Sequence, residues 1–226
     1  MVTKRNLLVS ITPILLLLTS CASVQVQENI GASSEVTPES YAKNQSSMGT
    51  VLLDARWARQ WKCGKYDNAQ LVSFAFDQMP FTVRPDDAKQ DLVIGTTSLL
   101  AVEQKFVSYA LLVPPGEYAL SNFKIKVASS VRDVGYWAAK RSDLIRNGKP
   151  YAGSFKVAAG ETVYIGNFAL DCFENPSLWR YYSEDQEGFQ KQLGDYKAKY
   201  PFLDLSSVKY RLFETGVIGR AHELKL

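Results

Sequence analysis

The chain has 226 residues, 46% apolar and 22% charged, with 9 Pro and 14 Gly, a composition that excludes a collagen-like, disordered or polytopic membrane protein. Its 26 Lys and Arg against 23 Asp and Glu leave a net charge of +3, too little to mark a nucleic-acid-binding surface. With His222 as the single histidine, a His-based metal site or a Ser/His/Asp relay has almost no material, and neither metal nor cofactor is expected.

The N-terminus carries the first strong signal. Lys4 and Arg5 precede an apolar run from Leu7 to Leu18, broken by Ser10, Thr12 and Pro13 and closed by the small residues Thr19 and Ser20. This order is that of a secretory signal over residues 1–20. As a helix the run rises about 18 Å, short of the roughly 30 Å hydrocarbon core of a bilayer, so it is not read as a spanning segment.

Leu18-Thr19-Ser20-Cys21 resembles the lipobox of bacterial lipoproteins: an aliphatic residue, two small ones, then cysteine. The resemblance implies a diacylglycerol thioether on Cys21, cleavage just before it, and acylation of the new amino group. Loss of Lys4 and Arg5 with the signal takes the charge from +3 to +1. Each buried methylene contributes about 0.8 kcal/mol, so two or more acyl chains anchor stably where one binds marginally. The membrane is thus an expected partner through the N-terminal lipid. Ala22, where an Asp favours inner-membrane retention in such lipoproteins, implies the outer membrane, on its periplasmic side.

Residues 22–48 are rich in Ser, Gln, Glu and Asn, with Tyr41 the one aromatic, and show no sustained period of 2 or 3.6. Residues 21–48 therefore read as the lipidated cysteine and a flexible tether, about 30 Å end to end, and 49–226 as the folded domain. With Cys21 assigned to lipid, Cys63 and Cys172 remain, an even number in an oxidising compartment, which points to one disulfide. Closing a loop of about 100 residues stabilises by at most about 4–5 kcal/mol in the chain-entropy model.

The folded part reads as short strands. Val51, Leu53, Ala55 and Trp57 alternate, although Trp57 and Trp61 also stand four apart as on a helix. Val72, Phe74 and Phe76 alternate in Leu71 to Phe76, and Asp91 to Thr97 and Phe106 to Val113 are further β-rich runs. In Val113-Pro-Pro-Gly-Glu-Tyr118, Pro115 and Gly116 suit positions i+1 and i+2 of a type II turn, predicting a hairpin. Beyond it the apolar positions change phase near Ser121-Asn122, which predicts a β-bulge. Phe155 to Val157, Ala158-Ala159-Gly160-Glu161 and Thr162 to Ile165 repeat the pattern as a second hairpin. Together these suggest an antiparallel β-sandwich of about seven or eight strands.

Pro114 to Leu120 followed by Val157 to Gly166 resembles the transthyretin-like or carboxypeptidase-regulatory-like β-sandwich found in several bacterial lipoprotein families of unknown function. The likeness covers about Leu99 to Phe168 and implies a fold, with no activity attached. Gly135 to Pro150 departs from a tight sandwich loop and reads as an insertion. Toward the C-terminus, Ser183-Glu-Asp-Gln186 is a capping-box pattern, and Phe189, Leu193, Tyr196 and Tyr200 follow at i, i+4, i+7 and i+11 until Pro201. An amphipathic helix over about 184–200 should pack on a sheet face, with Val208 to Phe213 a final strand.

Chemistry is thin. Asp86-Asp87 beside Pro85 reads as a turn or helix N-cap, and Asp54, Asp77 and Asp91 converge only if the fold brings them together. No Walker loop, dinucleotide fingerprint, zinc-protease helix or serine elbow is present. Aromatic pairs stand out, since adjacent strand residues face opposite ways and one of each pair points outward. Tyr136, Trp137, Tyr181 and Tyr182 are therefore the candidate binding surface, for an envelope protein or a glycan. The sequence thus reads as a mainly β, lipid-anchored envelope protein that binds or scaffolds without catalysis of its own. The alternative is a glycan-binding protein or carboxylate-dependent glycan hydrolase, which needs two carboxyl groups roughly 5–10 Å apart in a cleft. A third reading is self-association through a sheet edge.

Overall fold

Strand β1 (Gly49–Ala55) is buried at every position, and the rest of the architecture explains why. The computed structural model describes residues 33–81, 84–98, 104–173, 175–181, 186–216 and 218. Cys21, Tyr182 and His222, the expected signal sequence and most of the capping-box pattern lie outside them. The described chain is mainly β, in two packed sheets with three helices.

The first sheet has the order β10 (Ser177–Tyr181), β9 (Thr162–Asp171), β1, β5 (Val107–Val113), with the short β11 (Lys209–Tyr210) also on β9. The second runs β2 (Gln60–Cys63), β3 (Tyr66–Met79), β6 (Gly116–Ala128), β7 (Val134–Ala139). Strand β4 (Leu92–Gly95) also pairs with β3, and β8 (Ser154–Val157) with β6. Val51, Leu53 and Ala55 enter the core between the sheets, with Phe74, Phe76, Phe168 and Phe213. Leu52, between them on the opposite face, joins a second core under helix α3 (Gln186–Lys199). Phe189, Leu193, Tyr196 and Tyr200, the expected helical stripe, fill that second core.

Four expectations need correction. The sheets are not purely antiparallel: β1 pairs in parallel with β9, and β9 with β11. The reason is the second correction, that neither glycine turn closes a hairpin. The chain leaves β5 for the other sheet at Pro114-Pro115, and β8 returns to the first sheet through Ala158 to Glu161 to enter β9. It therefore re-enters beside β1 in β1's own direction. Across the second sheet the two units pair with each other, Tyr118 opposite Phe155 with rings stacked 5.3 Å apart. Gly116 is absent from the left-handed glycines, unlike Gly160 at φ 70°. What position 116 needs is space: a β-carbon there would stand 2.7 Å from Gln78 Nε2, which donates to the Pro115 carbonyl at 3.1 Å.

Third, the second half of the expected tether is folded. Val36 is buried and its N–H donates to the Ala110 carbonyl at 2.9 Å, while α1 (Pro38–Asn44) is capped by Thr37 and Tyr41 packs on Phe202. These partners are far away in the chain, so no local periodicity announces them. Fourth, Val72 does not share a face with Phe74 and Phe76, because a register shift between Leu71 and Ser73 changes the phase of β3. The bulge expected near Ser121 is present, since Ala75 pairs with Asn122 but Phe76 with Leu120. The Gly135 to Pro150 insertion supplies most of β7 and the single turn α2 (Arg141–Leu144).

Candidate binding surface

Cys63 closes β2, Cys172 follows β9, and the two form a disulfide with Cα atoms 4.6 Å apart, tying one sheet to the other. Of the four aromatics of the expected surface, Tyr136, Trp137 and Tyr181 lie on described strands and Tyr182 lies outside the described residues. Tyr136 and Trp137 are both exposed, 52% and 43%, because β7 is a sheet edge, but they face opposite ways. Tyr136 pairs with Lys126 on the outer face, whereas Trp137 pairs with Ile125 and leans on the Phe123 ring, 5.3 Å away, at the rim of the core. Tyr181 ends β10 at the edge of the other sheet.

Carboxylates do converge, but into structural networks. Asp77 and Arg141 are both fully buried and paired at 2.5 Å. The same guanidinium donates to the carbonyls of Pro85, Ala88 and Lys89, so it clamps the 84–91 segment over the outer face of β3. Asp91 joins through its N–H to Asp77 at 3.1 Å and its carboxylate to Arg84 at 2.8 Å. Asp86 and Asp87 lie in the expected local turn, closed by the Ala88 N–H on the Pro85 carbonyl at 3.1 Å, and Asp86 also accepts across the fold from the N–H and hydroxyl of Ser142 in α2. Asp54 lies apart, beneath α3. Burial pushes its carboxyl up from the usual range, even though Ser108, Tyr196 and Gln192 all donate to it. A raised carboxyl in a cleft suggests a general acid, but here the donors from β5 and α3 enclose it and make it a fastening for the helix. Among the described residues no group of His, Cys, Asp and Glu is placed to hold a metal ion.

The part of the second sheet beyond the clamp is open. One row across it reads Trp61, Asn68, Ala128, Val134, from β2 to β7. The two central strands contribute short side chains and the two edge strands tall ones, which hollows an open groove of about 300 Å³ between Trp61 and Val134. Lys126 lines it from the next row, where it pairs with Tyr136, and Ser130 and Val131 close it from the β6–β7 loop. Trp61 is 70% exposed and Val131 99%. The Arg59 guanidinium lies 5.7 Å from the Trp61 ring and the Lys124 ammonium 4.5 Å from the Tyr136 ring, contacts that brace both aromatics. Lys124 and Lys126 have no carboxylate partner among the described residues, whereas Asp67 is held by Lys62 at 3.1 Å.

Trp61 is one of the aromatics that stand out in the sequence, but sequence reasoning does not place it on the candidate surface. It shares strand parity with Cys63, so a regular strand would send both to one face. Lys62 at φ 58° breaks the alternation, and Trp61 stands in solvent while Cys63 turns into the core. Nothing in the local sequence marks that break. No protein-family model, curated protein or solved structure matches the chain.

Proposed function

We propose that this chain is a lipid-anchored bacterial envelope protein that works as a non-catalytic binding module through the groove face around Trp61. The anchoring half of the reading rests on Leu18-Thr19-Ser20-Cys21 and the lipoprotein resemblance it carries, with the outer membrane favoured by Ala22. The two packed sheets support a β-sandwich of the transthyretin-like kind, with α3 as the amphipathic helix on one side. The observation that carries the binding half is an asymmetry between the sheets. The outer face of the first is covered by α1 and α3, and that of the second is left open where two braced aromatics meet two lysines that have no carboxylate partner among the described residues. An open apolar and cationic patch of this kind marks an interaction site.

Since residues from 33 on are part of the fold, the link from Cys21 to the domain spans at most about 40 Å. The test is in-cell photo-crosslinking from position 61, compared with a probe at Lys43 on α1, together with palmitate labelling of Cys21→Ala. A product specific to position 61 and loss of label in Cys21→Ala are expected. Identical products from both positions would refute the face, and continued labelling would refute the anchor. A second reading, self-association through β7, is favoured by an edge strand, Val134–Ala139, that carries no charge and no proline to block pairing. A concentration-independent monomer on gel filtration would remove it.

A further inference from the structure

The groove allows a narrower statement, which rests on reading this face as a binding surface: we propose that its ligand is a carboxylated oligosaccharide. Size comes first. About 300 Å³ is at the lower end of small-ligand sites, which run roughly 300–1,000 Å³. The groove therefore suits a chain segment of one or two sugar rings.

Shape and chemistry agree with that. The Asn68 and Ala128 floor carries short side chains, and the Trp61 wall is a 70% exposed indole braced by Arg59, a surface on which the C–H face of a pyranose stacks. The Asn68 amide and Ser130 hydroxyl line the same space and match sugar hydroxyls, which both donate and accept. Neutral sugars would need nothing more. The acid groups of the ligand are called for by Lys124 and Lys126, which project on one face of β6 two residues apart, about 7 Å along the strand. Arg59 and Lys126 line the groove and Lys124 stands beside it, while Asp67, its one lining carboxylate, is held by Lys62 at 3.1 Å, so positive groups spread over more than one strand fit charges repeated along a chain better than one compact dianion.

The experiment uses the full-length protein in detergent micelles, with oligogalacturonate as the acidic probe, size-matched malto-oligosaccharide as the neutral one, and polyglutamate as an acidic chain without sugar. Tryptophan fluorescence and affinity electrophoresis report binding. Oligogalacturonate is expected to bind at least tenfold more tightly than either control. Trp61→Ala and the Lys124→Gln/Lys126→Gln pair should each weaken it at least tenfold, with thermal melts little changed because Trp61 is exposed and both lysines are half-buried on the outer face. Salt should weaken the wild type more than the lysine variant. Polyglutamate binding as well as oligogalacturonate and ignoring Trp61→Ala would overturn the proposal, as would a neutral sugar binding equally well. Absence of saturable oligogalacturonate binding overturns it too. In that case a specific crosslink from position 61 to an envelope protein keeps the binding-surface reading, and loss of that crosslink as well takes both down.

Discussion

Replacing Arg141 with methionine tests the tertiary clamp directly. The guanidinium is 1% exposed and its partner Asp77 0%. The substitution therefore leaves a carboxylate in the interior without its counter-charge, a change that typically costs about 3–5 kcal/mol. Carbonyls of Pro85, Ala88 and Lys89 lose donors as well, each worth about 1 kcal/mol where water cannot replace it. These losses overlap, so about 4–5 kcal/mol is the working figure, a large fraction of the roughly 5–15 kcal/mol that holds a domain together. Urea unfolding of the disulfide-intact protein should show the midpoint falling with little change in slope. Asp77→Leu combined with Arg141→Met should recover most of the loss, because a well-packed apolar pair removes the buried charge entirely. The 84–91 segment should become sensitive to protease in the single variant. A cost below about 1 kcal/mol for Arg141→Met, or a double variant whose cost equals the sum of the two singles, would refute the account of a coupled buried pair.

Three further outcomes follow from the geometry. Burial alone would raise the Glu161 carboxyl, but hydrogen bonds from Arg211, Lys209 and the Ala158 N–H outweigh it and bring it down to about 2 from 4.5. Its contribution is therefore full above the unfolded value and lost as pH falls toward about 2. It amounts to about 1–2 kcal/mol, since both cations are partly solvated. Glu161→Gln should lie below wild type at pH 6 and converge with it in acid, and a pH-independent gap would contradict this. Removing both Cys63 and Cys172 frees a 109-residue separation and should cost at most about 4–5 kcal/mol in urea; an unchanged midpoint would mean the bridge does not form. Gly153→Ala should cost at least about 2 kcal/mol, because φ is 124° and a β-carbon there would run into the Glu214 carbonyl and stand 2.7 Å from the Phe213 ring. Gly148→Ala, also left-handed but with nothing nearby, should cost less; equal melting losses would show that conformation alone decides.

What was legible in the sequence was whatever depends on near neighbours. The β-rich run from Phe106 to Val113 encodes a strand and the stripe from Phe189 to Tyr200 encodes the buried face of a helix, and β5 and α3 follow them. Phase change at Ser121 likewise encoded a bulge, and the two cysteines left once Cys21 is set aside encoded a bridge. The two glycine turns were legible as turns but not as crossings, because a turn's residues specify local backbone and not the sheet in which the next strand finds its partner. The same limit hid the docking of Val36 and Tyr41, whose partners lie far along the chain. It also hid the Asp77–Arg141 clamp, joined only when α2 is laid over β3. The candidate surface divides in the same way. That Tyr136 and Trp137 include an outward residue follows from strand parity. That Tyr136 shares a face with Trp61 and two lysines that have no carboxylate partner among the described residues, and Trp137 does not, was decided by strand order and by a left-handed residue at Lys62. Local sequence sets what each element can bury, and only the assembled sheets determine what is left over to face a ligand.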